Sequence, residues 1–292
     1  MLVSIKEMLG RAKAEGYGIP AVSAGNETTL RAAIEEAEKA NSPLILLVGY
    51  YFTDAVNYYT RLIEDFSKAA SVPVTAMWDH SGDFKHSMRG IRAGMPSIMV
   101  DRSSLPYAEN VAQTKEMVRI AHAVDIDVEA EIGHVGGADE DLGGDSENAL
   151  TVPSEAVSFV EETGCDCLAV AIGTAHGAYK GVPKIRFDLL KELAEKVPVP
   201  LVLHGGSGTG DENISKACQM GITKVNVANE LMKASYDALA AYGMEGNRAY
   251  KFWPVLEDGY RKQVAHLFEV CGCAGKAWPA RQVFIFSKNR SW

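Results

Sequence analysis

Short apolar runs of strand length recur along the chain, and segments of helical periodicity separate them. The runs cover residues 19–24, 44–49, 72–80, 97–101, 127–133, 167–173, 200–206 and 224–228. They are rich in Val, Ile, Leu and Ala without clean apolar–polar alternation, the pattern of parallel strands covered on both faces. Amphipathic spacing predicts helices over 26–40, 51–70, 84–93, 105–124, 154–162, 187–196, 211–220 and 230–242. Pro153-Ser154-Glu155 carries the start signals of one helix, and Gly94, Gly164 and Gly221 stand where three others should stop.

A strand followed by a helix, eight times over, implies right-handed βαβ units. Eight such units fit a closed (β/α)8 barrel, a TIM barrel of the α/β class, better than an open sheet. Residues from about 245 to 292 read as added C-terminal helices, so 1–292 is expected to be a single barrel domain with a helical extension. The longest strand-to-helix connection is 134–152, HVGGADEDLGGDSENALTV. Its two Gly-Gly pairs and five acidic residues speak against packed core, and such loops are usually lids, binding loops or disordered.

Composition narrows the function classes. With 292 residues, 47% hydrophobic and 23% charged, the chain is globular in type. A net charge of -9 with scattered Lys and Arg is a poor match to a nucleic-acid backbone, although a local site could still take a small anion. Cys165, Cys167, Cys218, Cys271 and Cys273 are odd in number and lack zinc-ribbon or redox-pair spacing, so reduced core thiols are expected. The first residues lack an uninterrupted apolar signal segment, and no run reaches the roughly 18 apolar residues of a membrane span. No membrane partner and a cytoplasmic location are the expectation.

In a (β/α)8 barrel the reactive side chains gather where strands end. The third predicted strand ends in Asp79-His80, the fourth in Asp101, and the seventh runs into His204. His176 follows the sixth strand, and Glu129 and Glu131 share one face of the fifth. Three imidazoles converging on one mouth could hold a catalytic metal ion, though each alone would read as a hydrogen-bonded core histidine. His86, His122 and His266 fall in helical segments and suggest surface or packing roles; His134 starts the long loop near the mouth. HGGSG after the seventh strand, NVANE at the eighth and HGAYKG after the sixth supply glycines, and in Lys180 a cation, for a phosphate site. These features suit metal-assisted carbon–carbon cleavage beside a carbonyl, and equally isomerisation or hydrolysis of a phosphorylated sugar.

The segments MLVSIKEMLGRAKAEGYGIPA, IRAGMPSIMVDRSSLPYAENVAQTKEMVRIAHAVDIDVEAEIGHVGG, TGCDCLAVAIGTAHGAYKG, PLVLHGGSG and KVNVANEL run in order through nearly the whole chain. Together they resemble the class II, zinc-dependent ketose-bisphosphate aldolases, a family that includes fructose- and tagatose-bisphosphate aldolases. The resemblance implies one Zn2+ per subunit on His80, His176 and His204, with Asp79 as the acid/base at oxygen. It places Asp101 and Glu131 beside the metal, as orienting residues or an alternate metal position. It assigns Gly177, Lys180, Gly205, Gly206, Ser207, Asn226 and Asn229 to the substrate phosphate and to a monovalent cation such as Na+ or K+. The family's loop acid/base at carbon is a glutamate; here it falls on Asp139, with Glu140 one place later. The implied reaction is reversible cleavage of a phosphorylated ketose to dihydroxyacetone phosphate and an aldehyde, in a homodimer or homotetramer.

Departures from the family pattern lie around the pocket. Ser23-Ala24-Gly25-Asn26 replaces the usual Asn-Val-Asn-Asn, and Gly49-Tyr50-Tyr51-Phe52 replaces Ser-x-Gly-Ala. Arg102 replaces a small residue, and Asn229 stands where Thr is typical. Asn26, Tyr50, Tyr51 and Arg102 are therefore the candidates for setting specificity, toward a ketose 1-phosphate other than fructose 1,6-bisphosphate, and Arg261 in the C-terminal region is a further candidate that could reach a partner subunit's site. The alternatives are a zinc-dependent retro-aldol enzyme acting on a non-phosphorylated ketose or acid, and a non-catalytic subunit of an aldolase complex. A Schiff-base lysine at Lys180 or Lys224 would be a third chemistry.

Overall fold

Every residue of Leu44–Gly49 is buried, as a parallel strand between two covered faces must be. The computed structural model describes residues 1–49, 53–136, 150–177, 181 and 183–279. Its strands are β1 (Ile19–Ser23), β2 (Leu44–Gly49), β3 (Val74–Ser81), β4 (Ser97–Val100), β5 (Asp127–Ile132), β6 (Cys167–Val170), β7 (Leu201–Leu203) and β8 (Ile222–Val227). They pair in sequence order, all parallel, and β8 closes on β1. This is a TIM barrel, as the sequence pattern predicts.

The helices are α1 (Ile5–Glu15), α2 (Glu27–Lys39), α3 (Val56–Ala69), α4 (Phe84–Ala93), α5 (Tyr107–His122), α6 (Pro153–Thr163), α7 (Phe187–Lys196), α8 (Asp211–Gln219), α9 (Asn229–Tyr242) and α10 (Phe252–Cys271). A 3-10 turn, Gly246–Lys251, joins the last two. α1 is absent from the sequence reading. Ser4 caps its first turn, Gly16 closes it at φ 72°, and Ile5, Met8, Leu9 and Ala12 form its buried stripe. The helix packs at the amino end of the barrel. Lys6 N donates to Asp127 at the start of β5, and Lys13 Nζ reaches the carbonyls of Val197, Pro198 and Val199 ahead of β7. α10 folds back on α9, where an added Cβ at Gly259 would lie 2.4 Å from Ala234 O. The buried Tyr260 hydroxyl on α10 donates to Ser23 O at the end of β1.

Strands β6 and β7 are shorter than their apolar runs. Gly173 at φ 105° and Gly205 at φ 68° adopt conformations outside the strand region, so the chain leaves the ladder before the runs end. The largest deviation is in β3. Trp78 pairs with Ile98 and Ser81 with Val100, so three steps on β3 face two on β4, and His80 sits at φ 47°. This is a β-bulge. In an uninterrupted strand Asp79 and His80 would face opposite sides. The extra residue turns both toward the barrel mouth, while Trp78 packs outward against α4 over Gly90.

Candidate active site

A cavity of about 450 Å³ opens at the carboxyl ends of the strands. Asp79 and His80 reach it from the bulge in β3, Asp101 from beyond β4, His176 from beyond β6, and Asn226 from β8. His204 follows β7 and is fully buried beside them. Ligand nitrogens of His80, His176 and His204 all lie within 4.8 Å of one another. Their ring centroids are 4.8 to 5.7 Å apart.

Each histidine is held from behind. His80 Nδ1 lies 2.9 Å from Asp101 Oδ2, and Asp101 accepts from the Ser103 amide and hydroxyl. The His176 backbone amide donates to Gly136 O at 2.8 Å. His204 Nε2 lies 2.9 Å from Glu129 Oε1. Two atoms then stand out: His204 Nδ1 and Glu131 Oε2 are buried, 3.4 Å apart, and without a hydrogen bond among the described residues. A buried polar atom left unpaired is costly, and a lone pair aimed at a shared space is what a metal ion satisfies.

The charges agree. Asp79, Asp101, Glu129 and Glu131 surround the histidines, and Lys224 on β8 is the buried cation paired with Glu129. Burial disfavours protonated His80, but Asp79, Asp101 and Glu131 outweigh it and lift its pKa to about 9. Burial, helped by His204 and His80, pushes His176 down to about 3, so its ring stays neutral with a lone pair to give. Burial pushes Glu131 up, with the Asp101 charge adding to it. Burial also opposes the charged form of Asp101, yet the His80 contact and Ser103 hold its carboxyl low. Four carboxylates around three imidazoles favour positive charge at this place, and the donor set fits a divalent cation.

Asp79 is 2% exposed, and Asn226 Nδ2 donates to its Oδ1 at 3.4 Å. The same Nδ2 is 3.3 Å from His204 Nε2, so Asn226 sits between the acid and the buried histidine. Beside this pair lie Gly177, Gly205, Ser207, Ala228 and Asn229. An added Cβ at Gly205 would be 2.3 Å from Ala175 O, so only glycine lets the loops after β6 and β7 close together. Ser207 Oγ accepts from the amides of Ala228 and Glu230, fixing the loop after β7 to the start of α9.

Four expected residues are placed elsewhere. Arg102 turns back from the rim, with its guanidinium bonded to Gln113, the Asp101 carbonyl and the Ser81 carbonyl, and is 2% exposed. Asn26 spends its side-chain oxygen capping α2 through Thr29 N. Arg261 is held on the α2–α10 face by Glu35, Glu36 and Glu257. Gly206 packs against Asn226 O and is not part of the cavity wall. Tyr50, Tyr51, Asp139, Glu140 and Lys180 lie outside the described residues. The reading from sequence set Ser23 near the pocket without a role, and omitted Leu47, Gly82 and Val135 from the wall. Ser23 Oγ is buried and has no hydrogen-bond partner among the described residues, which leaves it for a ligand.

The pattern that defines the class-II fructose-bisphosphate aldolases matches residues 3–276. The chain belongs to that family. The D-tagatose-1,6-bisphosphate aldolase subunit GatY of Klebsiella oxytoca is 39% identical over 281 residues, 94% of this chain and 99% of the relative. The YdjI aldolase of Escherichia coli superposes with a TM-score of 0.85 at 32% identity, covering 95% of this chain and all of that one. A fructose-bisphosphate aldolase of Campylobacter jejuni superposes at 0.83 with 23% identity, covering 94% of this chain and 97% of that one, a likeness of fold. This chain is therefore a class II aldolase, a carbon–carbon lyase whose three histidines can hold a metal ion.

Proposed function

We propose that this aldolase reversibly cleaves a ketose 1-phosphate other than fructose 1,6-bisphosphate into dihydroxyacetone phosphate and an aldehyde. The observation that carries the reading is Asp79, buried at the edge of the three-histidine cluster and tied to it through Asn226. His80, His176 and His204 would hold Zn2+, one ion per subunit, with Asp101 and Glu131 beside it. When bound, the ion supplies Lewis-acid polarisation of the substrate's ketone. In the cleavage direction Asp79 takes the proton of the hydroxyl at the carbon that becomes the aldehyde. The carbon–carbon bond breaks as that oxygen becomes a carbonyl, and the bonding electrons stay with the three-carbon half. A proton then reaches its carbon; Asp139 and Glu140 are the candidates to deliver it.

Gly177, Gly205, Ser207 and Asn229 surround the space for the phosphate, with Lys180 as the candidate counter-charge and Na+ or K+ as a candidate companion. The Ser23 hydroxyl, without a hydrogen bond among the described residues, would meet a sugar hydroxyl. The relative GatY, named for D-tagatose 1,6-bisphosphate, supports a ketose other than fructose. A Schiff-base route through Lys224 finds no support, because its ammonium is fully buried against Glu129. Among the described residues no helix is long and apolar enough to cross a membrane. A cytoplasmic homodimer or homotetramer is the form we propose.

The test is a coupled assay for dihydroxyacetone phosphate over a panel of ketose 1-phosphates, with EDTA and with zinc added back. Chelator-sensitive cleavage of one non-fructose member is the expected result. Fructose 1,6-bisphosphate as clearly the best substrate would refute the specificity, and no product from any member would refute the activity.

A further inference from the structure

Below the cavity, side chains from two strands that are not neighbours meet in an ion pair. Glu129 of β5 and Lys224 of β8 are both 0% exposed, with Lys224 Nζ 2.8 Å from Glu129 Oε2 and 3.0 Å from Oε1. Each lies two residues before a member of the site, Glu131 and Asn226, and so one layer deeper along the same strand face. A buried ion pair is a weak source of stability compared with apolar side chains of similar volume. Its place in the barrel interior calls for another role.

That role is visible in the third partner. Glu129 Oε1 is 2.9 Å from His204 Nε2. A carboxylate only accepts hydrogen bonds, so the nitrogen facing it must carry the hydrogen. A neutral imidazole has one such hydrogen, which leaves the other nitrogen with its lone pair. That nitrogen is Nδ1, which has no hydrogen bond among the described residues and lies 3.4 Å from Glu131 Oε2. The rival for Nε2 is Asn226 Nδ2, a donor at 3.3 Å that would need the opposite tautomer. The charged acceptor is nearer, and charge-assisted bonds are about twice as strong as neutral ones. Asn226 Nδ2 has Asp79 Oδ1 to donate to instead.

We propose that Glu129, kept a carboxylate by Lys224, is a positioning residue that fixes His204 as its Nε2–H tautomer and presents Nδ1 to the metal site. The proposal rests on the reading that His80, His176 and His204 hold a metal. Lys224 thereby contributes to metal binding without touching the metal, the substrate or the cavity.

Two double variants separate this role from charge balance. Glu129→Met with Lys224→Met replaces the pair by apolar side chains and removes the acceptor. Glu129→Gln with Lys224→Met keeps a neutral carbonyl acceptor. Two quantities are read: the His204 tautomer, from 15N NMR of histidine-labelled metal-free protein, and zinc affinity, by competition with a chromophoric chelator. Wild type should show Nε2–H at His204. The Met pair should lose that preference and bind zinc about 10- to 100-fold more weakly, with the thermal midpoint kept. The Gln variant should recover part of the affinity. Unchanged zinc affinity in the Met pair, or Nδ1–H in metal-free wild type, would overturn the proposal and leave the metal reading intact. A zinc titration that His80→Ala does not alter would overturn the metal reading, and this proposal with it. The tautomer of wild type needs no variant, so a Met pair that fails to fold does not end the test.

Discussion

His80 and Asp101 are joined by a 2.9 Å hydrogen bond between Nδ1 and Oδ2, and Ser103 holds the same carboxylate through its amide and hydroxyl. This chain of contacts leaves His80 Nε2 for the cavity side and fixes the plane of the ring. Asp101→Ala should therefore lower zinc affinity about 10- to 100-fold, read by chelator competition. Ser103→Ala should act in the same direction with a smaller effect. Wild-type affinity in Asp101→Ala would show that His80 is oriented by the bulge alone.

Asp79 is expected to move a proton and not to hold the metal. Asp79→Ala should reduce kcat about 100- to 10,000-fold, the usual range for a general acid or base. Zinc content by elemental analysis should stay at the wild-type level. Parallel loss of metal and activity would instead make Asp79 part of the ligand set.

Two glycines separate activity from stability. A Cβ at position 205 would lie 2.3 Å from Ala175 O, and Gly205 is at φ 68°. Gly205→Ala should push apart the loops after β6 and β7, lowering kcat/KM sharply and stability by about 1–3 kcal/mol. A Cβ at position 90 would lie 2.7 Å from Trp78 Cδ1, on the outer face of β3. Gly90→Ala should cost stability of the same order while leaving zinc affinity near wild type. Urea unfolding beside kcat/KM distinguishes the two: both variants lose stability, and only Gly205→Ala loses kcat/KM sharply.

The α2–α10 face carries an acid-sensitive clasp. Burial raises the Glu257 carboxyl, but its hydrogen bonds from Arg31 and Arg261 outweigh that and hold its pKa below the usual value. Glu35 is lowered in the same way against its own burial. A carboxyl whose folded pKa is depressed contributes stability above its unfolded value, about 4.3, and loses it as pH falls through the folded value. Arg261→Gln should thus lower the thermal midpoint at pH 7, and its difference from wild type should shrink below about pH 4. A pH-independent difference would assign the effect to packing of the arginine stem.

The order of elements was legible because each strand is a short run rich in apolar residues, even where β5 and β8 carry charged ones, and the connections carry helical spacing. Where strands end was not, because Gly173, Gly205 and the bulge at His80 leave the ladder inside runs that remain apolar. α1 did carry a signal, Ser4 before a stripe of Ile5, Met8, Leu9 and Ala12 with Gly16 after it. The three histidines could be proposed because His80 and His204 stand at the carboxyl ends of their strands and His176 in the loop that follows β6. In this chain Arg102, Asn26 and Arg261 are held away from the cavity, because side-chain direction at a rim depends on neighbours far away in sequence, such as Gln113 for Arg102 and Glu35 for Arg261. Glu129 and Lys224 are 95 residues apart, and nothing local to either announces the partner.

The bulge in β3 makes spacing part of the site's chemistry. Asp79 and His80 share one side only because β3 carries one residue more than β4 between Trp78 and Ser81. A graft of the dipeptide Asp-His onto a regular strand of another barrel would deliver one of the two groups to the solvent-facing helices. Deleting a single residue here would do the same without altering either side chain. A same-length exchange at Ser23 or Leu47 would reshape the wall and leave both groups in place, whereas a length change in β3 would erase the site.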